Sequence, residues 1–234
     1  MEWGMKLKFF KTANDRNNFL KLLLKIVLAL ILIQLLRAGI MFSLWWIVAP
    51  GDNTSIFQMI NGLSIIITAL ILLLYFNPSL KDLSLNWNDL KTRTRIIYAF
   101  GIGLLIFLVF TPYTFSWEAD VLVMGIIFGL ITPAFEEFMF RGYIWNKIEN
   151  SSEMINSGFL TWITVTMLFS IWHLGYLDVF LLHPMAAHTN LTMILVSKMG
   201  IGMVLGLIVG YLRLKTGKTY ASYIFHGLWN VFAP

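Results

Sequence analysis

The stretch ADVLVMGIIFGLITPAFEEFMFR, residues 119–141, is a long apolar run that ends in two adjacent acids and an arginine. About 20 apolar residues form a helix long enough to cross the hydrocarbon core of a bilayer, which is about 30 Å thick. A charge at mid-bilayer depth costs roughly 2.5 to 3.5 kcal/mol even on a lenient insertion scale. The stretch therefore predicts a membrane-spanning helix, and the cost of its charged residues indicates a functional site.

The composition of the whole chain agrees with this prediction. Of the 234 residues, 58% are hydrophobic and 12% are charged, whereas a soluble domain has about 25% charged residues. The chain is therefore expected to be an integral protein of the cell membrane, in contact with the lipid bilayer. The absence of cysteine excludes disulfides and thiolate metal sites. The net charge of +5 does not indicate nucleic-acid binding, because the basic residues are scattered between apolar runs.

Seven apolar runs are long enough to span the membrane, and helices are the expected form because lipid cannot pair an irregular backbone. The predicted spans are residues 22–48, 56–76, 96–112, 119–141, 155–174, 191–212 and 219–233. No internal repeat or low-complexity segment divides the chain. The fold class predicted is all-α: one transmembrane helix bundle over residues 1–234, with about seven spans.

The basic residues alternate between the connections and so predict an orientation. Thirteen of the seventeen Lys and Arg residues lie in 1–21, 77–95, 142–154 and 213–218, and none lies in 49–55, 113–118 or 175–190. The N-terminus is therefore expected in the cytoplasm and the C-terminus outside. Three further basic residues fall inside the runs and are expected to snorkel or to pack against a polar neighbour: Lys25, Arg37 and Lys198.

Two of the runs contain glycines at a spacing of four residues, which brings them to one helix face. They are Gly125 and Gly129 in one run, and Gly202, Gly206 and Gly210 in another. Small residues at this spacing let helix backbones approach closely. Both helices are expected at the centre of the bundle.

The motif EEFMFR, residues 136–141, contains the acids. Adjacent helical residues point about 100° apart, so the two carboxylates cannot face one partner. Arg141 is four residues after Glu137, the favourable spacing for a pair on one helix face. This predicts that Arg141 neutralises Glu137 and leaves Glu136 unpaired and facing a cavity, as a candidate general base. The alternative is an interfacial charge cluster where the helix leaves the bilayer.

Pro133 lies just ahead of the acids. It cannot donate a hydrogen bond to the carbonyl of Gly129, so it is expected to kink the helix or to start a new segment there.

Two further polar pairs fall on later runs. His173 follows Phe169 by four residues, and Asn230 follows His226 by four, so each pair shares a helix face. Taken alone, His173 is more typical of an interfacial residue near a helix end. His226 and Asn230 predict a donor pair for a developing oxyanion, although helix–helix hydrogen bonding would also explain them. His183 and His188 receive no chemical role.

These three motifs, in this order, resemble the CPBP family of intramembrane endopeptidases. That family includes CaaX prenyl proteases and Abi-like proteins of bacteriocin processing and immunity. Its patterns EExxxR, FxxxH and HxxxN are matched at Glu136, Glu137 and Arg141, at Phe169 and His173, and at His226 and Asn230. The resemblance covers roughly residues 119–233, which would form the catalytic core.

The resemblance implies roles for these residues. Glu136 and His173 would activate a water that attacks the scissile carbonyl of a membrane-associated peptide or protein. His226 and Asn230 would hold the oxyanion, while Glu137, Arg141 and Phe169 would support the site. No cofactor is expected, because HExxH is absent and zinc ligands would come from separate helices. The alternative is zinc held by Glu136, His173 and His226.

A non-catalytic immunity factor or a proton-coupled transporter on the same fold would also need intramembrane acids and histidines.

The predicted spans put Glu136 near the cytoplasmic end of its helix and His173 about 27 Å along the next helix, which starts on that side. These residues would be too far apart in depth, unless tilt, a late helix start, a break near Pro133 or a wrongly drawn span brings them together.

Overall fold

The computed structural model describes residues 9–151, 157–183 and 190–232, and these fold into seven helices. The helices are α1 Ala13–Val48, α2 Thr54–Phe76, α3 Thr92–Ser116, α4 Ala119–Glu149, α5 Ser157–Leu182, α6 Leu191–Thr216 and α7 Thr219–Phe232. By length and composition, α1 to α6 can each cross a membrane. The predicted all-α, multi-pass membrane bundle is confirmed.

The seventh predicted span forms a short helix. Its 14 residues extend about 21 Å, which is less than the thickness of the hydrocarbon core. Helix α7 instead packs within the bundle, against α3, α4 and α6.

Helix α1 begins nine residues before its predicted start. The Thr12 side chain accepts a hydrogen bond from the Asp15 backbone N–H, and the Asp15 carboxylate accepts one from the Thr12 N–H. This reciprocal capping box satisfies donors that a helix start leaves free. The helix therefore begins in the polar segment rather than at the first apolar residue.

Helix α4 alternates between α-helical and π-helical segments. The π segments are Gly125–Ile131 and Phe138–Ile144, and the α segment between them, Thr132–Glu137, contains both acids. Pro133 lies at the start of that α segment. A wider π turn accommodates a residue that cannot donate to the preceding turn.

The spans of α4 and α5 correct the predicted depths. Helix α4 continues to Glu149 rather than ending at 141, because Arg141, Trp145 and Ile148 are buried and extend its packed face. Helix α4 ends at Glu149 and α5 begins at Ser157, on the same side of the bundle. Measured from that side, Glu136 is about 20 Å along α4 and His173 is about 24 Å along α5. The two residues lie at similar depth, and the predicted mismatch was wrong because the end of α4 was drawn too early.

The two glycine-bearing helices pack closely, each against a different neighbour. A Cβ at Gly210 would lie 2.5 Å from the Trp162 ring of α5, and a Cβ at Gly129 would lie 2.7 Å from the Val109 side chain of α3. The glycines therefore bring α6 against α5 and α4 against α3.

A polar seam joins one end of α4 to α6 and to the connection before α3. The Arg213 guanidinium donates from Nε to the Arg141 carbonyl (2.8 Å) and from Nη2 to Ser84 Oγ (2.9 Å) and Asn146 Oδ1 (3.0 Å). Arg213 is buried. Arg213 of α6 therefore fixes the second π segment of α4, which contains Arg141.

We predict that Gly210→Ala destabilises the bundle by about 1–3 kcal/mol, because a rigid indole blocks the added methyl group. The measurement is the melting temperature in detergent. Gly200→Ala is the matched control on the same helix, since nothing lies within 4 Å of its added Cβ. Equal melting temperatures for the two variants would contradict the close α5–α6 approach.

Candidate active site

The two acids lie on one short α segment and are both buried. Glu136 is 3% exposed and Glu137 is 0% exposed. Their side chains contact different partners, as the angle between adjacent helical residues requires.

Glu137 is the neutralised member of the pair. Its Oε1 accepts from Arg141 Nη1 (3.1 Å) and from His226 Nδ1 (2.9 Å). The structure therefore has the predicted ion pair, at 0% exposure for both side chains. The pair is buried, so the alternative of an interfacial charge cluster does not describe it.

Arg141 makes two further contacts. Its Nη2 donates to the Gly206 carbonyl (3.3 Å), and its guanidinium lies over the Phe169 ring, 4.1 Å from the centroid. The same ring is 4.8 Å from the His173 ring and 5.9 Å from the His226 ring, between centroids. Phe169 therefore touches the arginine and both histidines, which gives a physical reason for the FxxxH spacing.

Glu136 is hydrogen-bonded through one oxygen. Its Oε1 accepts from Trp172 Nε1 (3.0 Å) and from Tyr176 OH (2.8 Å). The prediction that this carboxylate lacks a partner was therefore wrong. Its Oε2 lies 3.8 Å from His226 Nε2, and among the described residues no donor reaches this oxygen within hydrogen-bonding distance.

His173 lies where α5 narrows from an α-helix to the 3₁₀ turn His173–Tyr176. Its Nδ1 is 2.8 Å from the Phe169 carbonyl. Since a carbonyl only accepts, Nδ1 donates, and Nε2 is the acceptor of the neutral ring. A Cβ at Gly202 would lie 2.8 Å from Nδ1, so this glycine of α6 makes room for the imidazole.

The structure brings Glu136, Glu137, His173 and His226 together. Both histidine rings pack against Phe169, and His226 lies 3.8 Å from Glu136 Oε2 and 2.9 Å from Glu137 Oε1. His183, outside this cluster, stacks edge-on against Phe57, and His188 lies outside the described residues.

Asn230 satisfies a backbone carbonyl that Pro133 leaves without a donor. In the π segment, the Thr132 N–H bonds to the Ile127 carbonyl, five residues back. The same spacing would pair the Phe128 carbonyl with residue 133, which as proline has no N–H. Asn230 Nδ2 donates to that carbonyl instead, at 2.9 Å. One of its two amide hydrogens is therefore used in helix packing and one remains.

Trp172 and Tyr176 are the site residues that sequence reasoning missed. They are four residues apart on α5 and supply both donors to Glu136. The available signal was an indole and a phenol on one helix face, each carrying a polar group that needs a partner when buried.

The zinc alternative requires Glu136, His173 and His226 as ligands. Within residues 9–151, 157–183 and 190–232, no three His, Asp or Glu side chains are grouped so that they could hold a metal ion. Metal independence stays a prediction, which chelation tests.

The fold and site together define a multi-pass membrane protein with two carboxylates buried beside two histidines. The family model described as type II CAAX prenyl endopeptidase Rce1-like matches residues 116–232, half of the chain. The chain belongs to this Rce1-like family, which supports a CAAX-type intramembrane protease. The predicted family is thereby confirmed. Comparison with curated proteins and with solved structures finds no match in either.

We predict that Arg141→Met lowers stability by about 3–5 kcal/mol, because it leaves the Glu137 charge buried without its arginine. The melting temperature in detergent measures this loss. The double variant Glu137→Gln/Arg141→Met removes both charges and should melt higher than Arg141→Met alone. A single variant as stable as the unmodified protein would show that the pair is not needed for folding.

Proposed function

We propose that this protein is an intramembrane endopeptidase in which Glu136 activates a water molecule. The carrying observation is the asymmetry of the Glu136 carboxylate. Trp172 and Tyr176 fix Oε1, while Oε2 lies 3.8 Å from His226 Nε2 and receives no hydrogen bond from the described residues. A general base needs this combination of a fixed position and a free lone pair.

The water is held between two acceptors, Glu136 Oε2 and His173 Nε2. Glu136 takes one proton from the water while the water oxygen adds to the scissile carbonyl carbon. The carbon–nitrogen bond then breaks, and the proton passes from Glu136 to the leaving amine. The second water proton passes from the new carboxyl group to the amine, so the products are a carboxylate and an ammonium ion, and water is the only co-reactant.

The oxyanion forms on the carbonyl oxygen of the reacting carbon, where His226 and Asn230 supply donors. His226 uses Nδ1 on Glu137, which leaves Nε2 to donate when the ring carries both protons. Asn230 offers its second amide hydrogen. Donors fixed in place before the reaction stabilise the developing charge without reorganisation.

The substrate proposed is a membrane-associated peptide or protein with an apolar anchor, for which the family name suggests a prenyl group on a CAAX sequence. A cavity of about 600 Å³ supports an apolar anchor. It lies between α1, α2 and residues 130–147 of α4, and Ile33, Ala69 and Phe135 are among its lining residues. Phe135 packs against Trp172 at 6.2 Å between centroids, so the cavity adjoins the residue that holds Glu136.

Glu136→Gln is expected to lower the turnover of a prenylated CAAX peptide by at least about 10²-fold, because the amide cannot take a proton from water. The assay uses the full chain in detergent or liposomes, with product identified by mass spectrometry. Glu149→Gln on the same helix is the control, and it should keep its activity and its contact with Trp145 Nε1.

Near-normal cleavage by Glu136→Gln would remove the assigned base. Failure of the unmodified chain to cleave either the prenylated or the unprenylated peptide would favour the non-catalytic alternative.

Activity is expected to persist after exhaustive treatment with 1,10-phenanthroline, because the carboxylate and imidazole activate water without a Lewis acid. Elemental analysis of the purified active protein should find no stoichiometric metal. Loss of cleavage on chelation with recovery on adding Zn²⁺ would recast Glu136, His173 and His226 as ligands.

A further inference from the structure

Helix α1 carries a buried charge that the site residues of α4, α5 and α7 do not explain. Arg37 is 0% exposed and lies in the stretch 26–48 of α1, which contains no other charged residue. Helix α1 also lies outside residues 116–232, which the family model matches. A guanidinium at such a position is costly unless it is paired, so its partners indicate its use.

Among the described residues, the polar contacts that the Arg37 and Gln34 side chains make with other helices all fall on residues 172–178 of α5. Arg37 Nη2 donates to the Gly175 carbonyl (2.9 Å) and to the Asp178 carboxylate. Arg37 Nε donates to Gln34 Oε1 (2.9 Å), and Gln34 Nε2 donates to the Trp172 carbonyl (3.1 Å). Together, the two side chains fix residues 172–178, where α5 narrows to a 3₁₀ turn.

That turn presents both donors to Glu136. Tyr176 lies beneath the Arg37 guanidinium, with 4.7 Å from Cζ to the ring centroid, and its hydroxyl donates to Glu136 Oε1. Trp172, whose carbonyl Gln34 binds, donates to the same oxygen. Each of the two hydrogen bonds that orient Glu136 therefore comes from a residue in direct contact with α1.

Gly175 provides an independent sign that α1 and this turn are built to meet. A Cβ at this position would overlap the Gln34 side chain. Only glycine lets Gln34 lie against the turn and reach the Trp172 carbonyl.

Stability alone does not account for the Arg37–Asp178 pair. A buried ion pair contributes little net stability relative to packed apolar residues. Here Arg37 Nη1 and Asp178 Oδ2 are buried without a hydrogen-bond partner among the described residues. The contacts that are made serve the geometry of the turn.

We propose that Arg37 and Gln34 are positioning residues, which set the turn 172–178 so that Tyr176 and Trp172 hold Glu136 with Oε2 toward the water. This role rests on the proposed function. Helix α1 thereby helps to position the proposed catalytic base, Glu136.

The test is a double-mutant cycle on cleavage of a prenylated CAAX peptide by the full chain. Arg37→Met and Tyr176→Phe should each lower kcat about 10- to 100-fold with little change in KM, since a small misplacement of a catalytic group has effects of this size. If Arg37 acts through Tyr176, the double variant loses little more than the worse single variant. Lys21→Met, which removes an exposed charge from the same helix, should leave kcat unchanged.

Gln34→Met provides a milder variant in case Arg37→Met does not fold. It keeps the side-chain volume, removes the bond to the Trp172 carbonyl and should lower kcat about tenfold. Unchanged kcat in folded Arg37→Met or Gln34→Met would overturn the proposal, as would losses that multiply in the double variant.

A second measurement separates this proposal from the proposed function. Hydrogen–deuterium exchange should show faster exchange in residues 172–178 of Arg37→Met than in the unmodified protein, with residues 157–168 unchanged. Faster exchange without any peptide cleavage would support the fixed turn and reject the proteolytic role. Unchanged exchange would overturn the positioning role even if Glu136→Gln is inactive.

Discussion

The double acceptance by Glu137 Oε1, from Arg141 and from His226, is the interaction on which the rest of the site depends. Two adjacent carboxylates inside a membrane bundle would repel each other and lose their hydration, so at least one needs full compensation. Glu137 draws that compensation from its own helix and from α7. This arrangement fixes where α7 lies and orients the His226 ring, whose other nitrogen is then directed at Glu136. The structural acid thus prepares the surroundings of the candidate catalytic acid.

The backbone of α4 imposes a second constraint, because a carbonyl inside a membrane protein has no water to replace a missing donor. Pro133 removes one N–H, and the π segment before it moves the orphaned carbonyl to Phe128. Asn230 on α7 satisfies that carbonyl. The same helix therefore compensates α4 twice, at Glu137 through His226 and at Phe128 through Asn230. The HxxxN spacing suits this purpose, since residues four apart on one helix reach two points on a neighbouring helix.

The sequence predicted the helices better than their ends and the site residues better than their contacts. Apolar runs fixed the existence of all seven helices, because length and hydropathy are local properties. The early start of α1 was also readable, from Thr12 and Asp15 as a capping box, but the apolar run alone did not include it. The true end of α4 could not be predicted in this way. An arginine at the end of an apolar run usually marks the membrane interface, and the sequence does not show that Arg141 is buried. Arg141 becomes part of a span only through contacts with Glu137, Gly206 and Phe169.

The partners of Glu136 show why a motif search stops short of geometry. EExxxR, FxxxH and HxxxN identify groups that share a helix face, and the structure brings those groups together. The hydrogen bonds on Glu136 come instead from Trp172 and Tyr176, and these residues depend on Arg37 and Gln34, more than 130 residues away in sequence. A motif records which functional groups a site needs, while the angle at which a carboxylate is held depends on packing between distant helices. In this protein the half of the chain with the motifs supplies the candidate catalytic groups, and α1 supplies contacts to residues 172–178 beside them.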